Sequence, residues 1–224
     1  IAKHLADGDK VLDVGCANGY SSIQLSRARR IHLRGLDYVP EMIEQAKLRL
    51  GTMAGNSGSS AEFDVGDITQ MNEPSDHYDK VIVVRVLINL GNWERQFRGL
   101  QESIRVLKQG GLLLLSEATL QGWRRLNALR EEWGMQPIPM PAFNQYLDEE
   151  QVIAAVGGQS TLLELSNFAS SYYVGTRVLK PLLAQATNAP VNVADPNAEW
   201  NRWCSLLPPA GDYGTQKLFV FRKS

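Results

Sequence analysis

Asp13, Gly15 and Gly19 are the residues whose types and spacing carry the most chemistry in this 224-residue chain. They lie in VLDVGCANGY, residues 11–20, where an apolar strand-like run gives way to a glycine turn and then to polar Ser21 and Ser22. Glycines at a strand-to-helix turn allow φ > 0 and let a ligand approach the backbone closely. In an open α/β sheet such a turn lies outside the carboxyl ends of the strands, where ligands bind. Asp13 is expected to point its carboxylate into that crevice. The spacing also excludes ligands. A dinucleotide fingerprint needs G-x-G-x-x-G, whereas Cys16-Ala17-Asn18 separates the glycines here, and no Lys-Ser/Thr pair follows as in a phosphate-binding loop. An acidic group beside the turn suits a ligand with an ammonium group better than a pyrophosphate.

The elements that must position these residues read as alternating strands and helices. Residues 31–37 (IHLRGLD) suit a second strand and residues 40–50 a helix, with Pro40 apt at its start and Glu41 and Glu44 complementing its N-terminus. Asp37 then sits at a strand's carboxyl end, where a carboxylate can accept from ribose hydroxyls. Residues 61–68 suit a third strand and its exit, and GTMAGNSGSS, residues 51–60, a flexible surface loop. Residues 78–90 carry a buried central strand rich in β-branched residues. Residues 93–107 read as an amphipathic helix, broken at Lys108-Gln109-Gly110-Gly111. A fifth strand over residues 112–115 ends at Ser116 and Glu117. Residues 147–156 suit a helix capped by Asp148, residues 162–168 a sixth strand and residues 217–222 a seventh. This order argues for a doubly wound α/β sheet with right-handed crossovers.

Several of these runs resemble motifs of the class I S-adenosylmethionine-dependent methyltransferases. They are DVGCANG, GLDYVPEMIEQAK, the Asp67-Ile68 pair and RVLKQGGLLLLSE, covering residues 10–118 well and the rest loosely. The resemblance implies a Rossmann-like, mostly parallel seven-stranded sheet of order 3-2-1-4-5-7-6 in a single domain, with the seventh strand antiparallel. It implies S-adenosyl-L-methionine as cofactor and S-adenosyl-L-homocysteine as product. The cofactor would be bound by Asp13, Gly15, Cys16, Gly19, Tyr20, Asp37 (ribose), Tyr38, Asp67 (adenine amino group), Ile68 (packing on the ring) and Arg85. Many members carry a helix before strand one, little of which is expected here; a start at Ile1 without Met is consistent with trimming. LINLGNWERQ, RLNALREEWGMQPIP, FNQYLD and GDYGTQKLFVFRK resemble bacterial methyltransferases of small-molecule, glycan or natural-product pathways.

Two stretches exceed a minimal fold, residues 118–146 and 169–216, and both leave the sheet near its ligand-binding end. Long connections often act as lids or binding loops. They are expected to form a cap that shapes the acceptor pocket. Arg85 at the end of strand four could bind an acidic substrate. Glu117 at the end of strand five could serve as a base or hold an amine, and otherwise caps a helix. Tyr146 is the third catalytic candidate. Asn89, Trp123, Asn144, Tyr146 and Tyr172 are the candidate substrate contacts.

Acids and bases nearly balance, 24 against 23, which disfavours nucleic acid as the acceptor. Two cysteines, Cys16 and Cys204, have no metal-ligand spacing, and no metal is expected. No secretory signal or membrane-length apolar run is seen, so a cytoplasmic monomer or homodimer is expected. His4, His32 and His77 are not obvious bases. No N/D-P-P-Y/F tetrapeptide follows strand four, and the acids of a magnesium-dependent catechol enzyme are not evident. The expected activity is methyl transfer at oxygen to a small polar molecule, with Arg85 pointing to an acidic one. Alternatives are N-methylation of a small amine with Glu117 as cation partner, or a catalytically silent S-adenosylmethionine-binding module.

Overall fold

Strand β4 (Tyr78–Val84) runs through the middle of the protein, with Val81, Ile82 and Val83 no more than 1% exposed. In the computed structural model, which describes residues 1–51, 59–188, 195 and 197–224, β4 pairs in parallel with β1 (Lys10–Val14) and β5 (Leu107–Ala118). The sheet has seven strands in the order β3-β2-β1-β4-β5-β7-β6. Here β2 is His32–Asp37, β3 is Ser60–Val65, β6 is Ser160–Ser166 and β7 is Gln216–Lys223. β7 is antiparallel to both its neighbours and the other pairings are parallel. The expected order is therefore observed.

Alternation along the strands sends successive side chains to opposite faces. One face gathers Leu12, Val81, Val83, Leu113, Leu115, Phe219 and Phe221 against α3 (Trp93–Arg105) and α5 (Glu149–Val156), through Leu100, Ile104, Val152 and Val156. The other gathers Val11, Ile82, Leu114 and Val220 with Ile23 of α1 (Tyr20–Ala28) and Ile43 and Ala46 of α2 (Pro40–Gly51). Asn92 caps α3 by accepting from Arg95 N at 2.9 Å. Asp148 caps α5 as expected, accepting from the amides of Glu150 and Gln151.

Two local readings change, at residues 108–111 and after β4, while the third strand and its exit are found as expected. Residues 108–111 do not break the chain between helix and strand. β5 begins at Leu107, which pairs with Tyr78, and resumes at Leu112 opposite Lys80 after a register shift. Gly110, at φ +75°, supplies the backbone freedom for that irregularity. The apolar run after β4 ends at Val84 and continues as a 3-10 turn, Leu87–Asn89. β3 stops at Val65, so Asp67 and Ile68 lie beyond the strand. Most of the expected surface loop at 51–60 lies outside the described residues.

The first long connection contains α4 (Leu120–Glu132). The second contains α6 (Ser170–Val174), a π-helical turn (Gly175–Leu179), α7 (Lys180–Thr187) and α8 (Glu199–Ser205). The two are joined, since Arg130 of α4 donates to Arg177 O. Trp200 of α8 donates to Gly175 O at 2.9 Å. A side chain at Gly175 would overlap Cys204 Sγ, so a glycine is needed for α8 to dock.

Candidate active site

The turn between β1 and α1 is built on left-handed backbone at Gly15 (φ +76°), Ala17 (+47°) and Gly19 (+70°). Four of its amides are spent inside the protein. Gly15 N and Cys16 N both donate to Leu36 O, at 2.7 and 3.0 Å, and Gly19 N donates to Cys16 O at 3.0 Å. Ala17 N donates to Asp37 Oδ2 at 2.8 Å. A phosphate cradle needs amides free to bind the anion, so this turn does not suit a pyrophosphate. Gly15 also lets the chain after β4 come close, because an added Cβ would overlap Val86 Cγ2. Gly19 closes against Ala46 and Phe63 in the same way.

Asp13 corrects an expectation. Its carboxylate does not open into the crevice but is 6% exposed and accepts from Ser22 Oγ at 2.5 Å, tying β1 to α1. Burial pushes this carboxyl up to about 6, with the Ser22 hydrogen bond opposing and Asp37 adding to the rise. The folded value lies above the unfolded 3.8. The resulting stability is therefore fully present below about pH 4 and is lost as pH rises through about 6. At 1.36 kcal/mol per unit the contribution is on the order of 3 kcal/mol. Asp13→Asn is expected to flatten this part of the profile of urea midpoint against pH; an unchanged slope between pH 4 and 7 would refute the assignment.

Asp37 presents a carboxylate at the end of β2. Each oxygen takes one backbone amide, Ala17 N at 2.8 Å and Val39 N at 3.0 Å. A carboxylate has about four acceptor positions, which leaves lone pairs for two hydroxyl donors. Asp67 uses Oδ1 for the Thr69 amide and hydroxyl, both at 2.8 Å. Ile68 is 4% exposed and packs toward Gly99 of α3, so it belongs to the core more than to an open ring-stacking surface. Tyr20 and Tyr38 are 57% and 72% exposed, and Arg49 lies over the Tyr20 ring at 5.5 Å. Cys16 is buried, and burial pushes its thiol up, so it stays protonated and packs.

The second half of the site begins at Arg85, one residue past β4. It has φ +57°, a strained conformation for a residue with a Cβ, of the kind that clusters at functional sites. Its side chain is exposed, and no carboxylate among the described residues forms an ion pair with it. Asn89 Nδ2 donates to Arg85 O at 2.7 Å, and Asn144 Nδ2 donates to Asn89 Oδ1 at 2.7 Å. Two sequence candidates some fifty residues apart thus touch. Tyr146 is half-buried beside Arg85. Burial raises its hydroxyl above the usual tyrosine value, Tyr173 raises it further and Arg85 opposes, so Tyr146 is neutral and serves as a hydrogen-bonding group.

Glu117 does not face an acceptor. It is 0% exposed, and its Oε1 accepts from Val86 N at 2.7 Å and Leu87 N at 2.8 Å. Burial pushes its carboxyl up to about 7 against the pull of these amides and of Arg85. The expectation of a base or amine partner gives way to the capping alternative, a buried group that fastens a turn. Trp123 is also committed elsewhere. Its indole donates to Ile138 O at 2.8 Å and borders a hollow of about 500 Å³ between α4 and residues 134–137.

Two residues were missed. Tyr173 influences Tyr146, whereas Tyr172 stacks edge-on against Tyr173 at 6.0 Å and accepts from Thr176 through its carbonyl. Adjacent tyrosines give no spacing signal that separates them. Gln96 is 1% exposed and donates to Leu87 O at 3.1 Å and to Gln145 O at 2.8 Å. A glutamine four residues before Leu100, on the buried face of α3, was the available sign.

No group of three or more His, Cys, Asp or Glu residues able to hold a metal is found among the described residues. No described helix is long and apolar enough to cross a membrane.

A seven-stranded sheet in this order, with carboxylates at the ends of β2 and β3 and a glycine turn with four amides already spent, defines the class I methyltransferase fold. Residues 11–111 match the family model described as a methyltransferase domain, and with the observed strand order the chain has the fold of the class I S-adenosylmethionine-dependent methyltransferases. It is 33% identical over 109 residues to a demethylmenaquinone methyltransferase of Deinococcus radiodurans, a match covering 48% of this chain and 42% of that one. It is 30% identical over 114 residues to phosphoethanolamine N-methyltransferase 1 of Arabidopsis thaliana, covering 51% and 22%. The matched stretch thus spans less than half the length of these relatives. Among solved structures, a SAM-dependent methyltransferase of Methanosarcina mazei superposes with a TM-score of 0.65 at 14% identity, covering 99% of this chain and 95% of that one, which speaks to the fold. S-adenosylmethionine is the cofactor of this class, and the acceptor-rich, amide-poor turn with Asp37 and Asp67 fits its hydroxyl- and amino-bearing nucleoside.

Proposed function

We propose that the protein transfers a methyl group from S-adenosylmethionine to an oxygen of a small polar molecule that carries an acidic group. The observation that carries this reading is Arg85, exposed, in left-handed backbone and with no described ion-pair partner, beside the Gly15 turn through Val86. Asp37 would hold the ribose hydroxyls and Asp67 the adenine amino group, with Gly15, Cys16 and Gly19 shaping the turn and Tyr20 and Tyr38 lining its rim. When bound, the cofactor supplies a methyl on a positively charged sulfur, open to in-line displacement. The protein's task is to bring the nucleophile into line, and such positioning is worth about 7 to 11 kcal/mol. Arg85 pairs with the acidic group of the acceptor, and the Asn89–Asn144 pair with the neutral hydroxyl of Tyr146 orients its polar edges. The α4 and α6–α8 connections would cover the acceptor and exclude water.

Calorimetric titration with S-adenosylmethionine, S-adenosylhomocysteine and NAD tests the cofactor, with binding expected for the first two alone. Failure of both to bind would overturn the cofactor assignment, whereas binding without methyl transfer to any acceptor would point to the silent module. Carboxylate- and phosphate-bearing metabolites are then compared with amines for methyl transfer. With an acceptor in hand, Arg85→Ala is expected to raise the acceptor KM or lower kcat by about 10- to 150-fold, the loss of a hydrogen bond to a charged group. Cofactor affinity should stay the same. Weaker cofactor binding in that variant would place Arg85 on the cofactor instead, and efficient transfer to amines alone would overturn the acidic-acceptor reading.

A further inference from the structure

The turn that carries Arg85 is fastened to the end of β5 through three successive amides and to itself through one carbonyl. Arg85 N donates to Ser116 O at 3.0 Å, and Arg85 O accepts from Asn89. The next two amides, Val86 and Leu87, converge on the single oxygen Glu117 Oε1 at 2.7 and 2.8 Å. Arg85 is left-handed, and Val86 is right-handed at φ −103°, ψ −51°. A left-handed and a right-handed residue in succession turn their amides into a concavity that binds an anion. Here the anion is part of the protein, because Glu117 is fully buried and fills the concavity. Its other oxygen, Oε2, is buried with no hydrogen-bond partner among the described residues, so the carboxylate is committed to this turn.

We propose that Glu117 is a positioning residue that holds Arg85 in its left-handed conformation and so sets the direction of the guanidinium toward the acceptor, an inference that rests on the reading of Arg85 given above. Without the carboxylate, two converging amides would face each other across a dry pocket, and the cheapest relief is rotation of the 85–86 peptide, which turns Arg85 away. A carbonyl oxygen in the same place suffices to receive both amides. A thioether does not.

The test compares Glu117→Gln with Glu117→Met, close in size to glutamate, in the full chain with S-adenosylhomocysteine present. Three readouts are taken by NMR: the Arg85 Cα and Cβ shifts, which report the sign of φ; exchange protection of the Val86 and Leu87 amides; and the Arg85 Nε–H resonance titrated with acetate as a minimal carboxylate. The wild type and Glu117→Gln are expected to keep the left-handed signature, the protected amides and the same acetate midpoint. Glu117→Met is expected to lose the signature, to lose protection at both amides by at least tenfold and to need at least fivefold more acetate, while β4 amides stay protected. If Glu117→Met does not fold, Glu117→Asp, whose carboxylate is withdrawn by one methylene, takes its place with the same expectations. An unchanged Arg85 signature and amide protection in the variant would overturn the proposal. Absence of any acetate response in the wild type would sink the acidic-acceptor reading, while the backbone signature would still decide the positioning role.

Discussion

Gly15→Ala is expected to abolish measurable cofactor binding and to lower Tm by roughly 5 to 15 °C. Two costs combine. At φ +76° an alanine is strained, a penalty of about 1 kcal/mol. The new methyl also overlaps Val86 Cγ2. Valine cannot swing clear easily, since its branched side chain is stiff at χ1, and overpacking of this kind costs about 1 to 3 kcal/mol. Each kcal/mol moves Tm by about 2 to 4 °C in a protein of this size. Relief by backbone movement would displace the Gly15 and Cys16 amides from Leu36 O and shift Val86, the neighbour of Arg85. Gly8→Ala is the control, because Gly8 has φ +89° but nothing within 4 Å of an added Cβ, so only the backbone cost remains. Scanning calorimetry and titration with S-adenosylhomocysteine read both effects. A Gly15→Ala variant that matched Gly8→Ala in Tm and bound cofactor normally would show that the contact with Val86 is not tight.

Asp37→Ala is expected to weaken S-adenosylhomocysteine binding by about 10- to 150-fold or more. The carboxylate secures the turn through Ala17 N and Val39 N, and in the proposed reading its remaining lone pairs would receive the ribose hydroxyls. A hydrogen bond to a charged group is worth about 1.5 to 3 kcal/mol. Losing the ribose contacts alone accounts for the lower end, and loosening of the turn adds to it. Asp37→Asn separates the two roles, since its one remaining carbonyl oxygen can receive one amide but its amide nitrogen cannot accept at all. An intermediate affinity is expected. Unchanged affinity in Asp37→Ala would mean that the ribose assignment is wrong, whatever happens to stability.

The placement of Asp37 shows what could be read without coordinates. A β-strand pattern over the second strand, followed by a proline-started helix, puts an acid at the strand's carboxyl end from local physics alone. The same holds for the α5 cap at Asp148 and for the buried β-branched run of β4. The strand order came from resemblance, because periodicity says which face a residue occupies but not which strand lies beside it. Where local rules failed, a distant partner was responsible. Lys108 to Gly111 carries a helix-breaking glycine pair, yet pairing with β4 keeps it inside β5.

The amino-acid sequence by itself determined the α/β architecture, through a glycine turn spaced against phosphate binding, acids at or just past strand ends and the periodicity of a doubly wound sheet, while resemblance of its motifs pointed to the methyltransferase class. These are short-range features, settled by backbone conformation and side-chain alternation within a few residues. Tertiary structure alone decided which polar groups meet. The register of β4 on β5 sets Val84 beside Ser116, which brings Glu117 under the turn of Arg85 and buries it. Folding of the long connections set Tyr173 close enough to act on Tyr146 and drew Trp123 onto Ile138. A carboxylate becomes a base, a salt-bridge partner or an internal anion according to which donors surround it and how much water remains, and both are set by chain segments far apart in sequence.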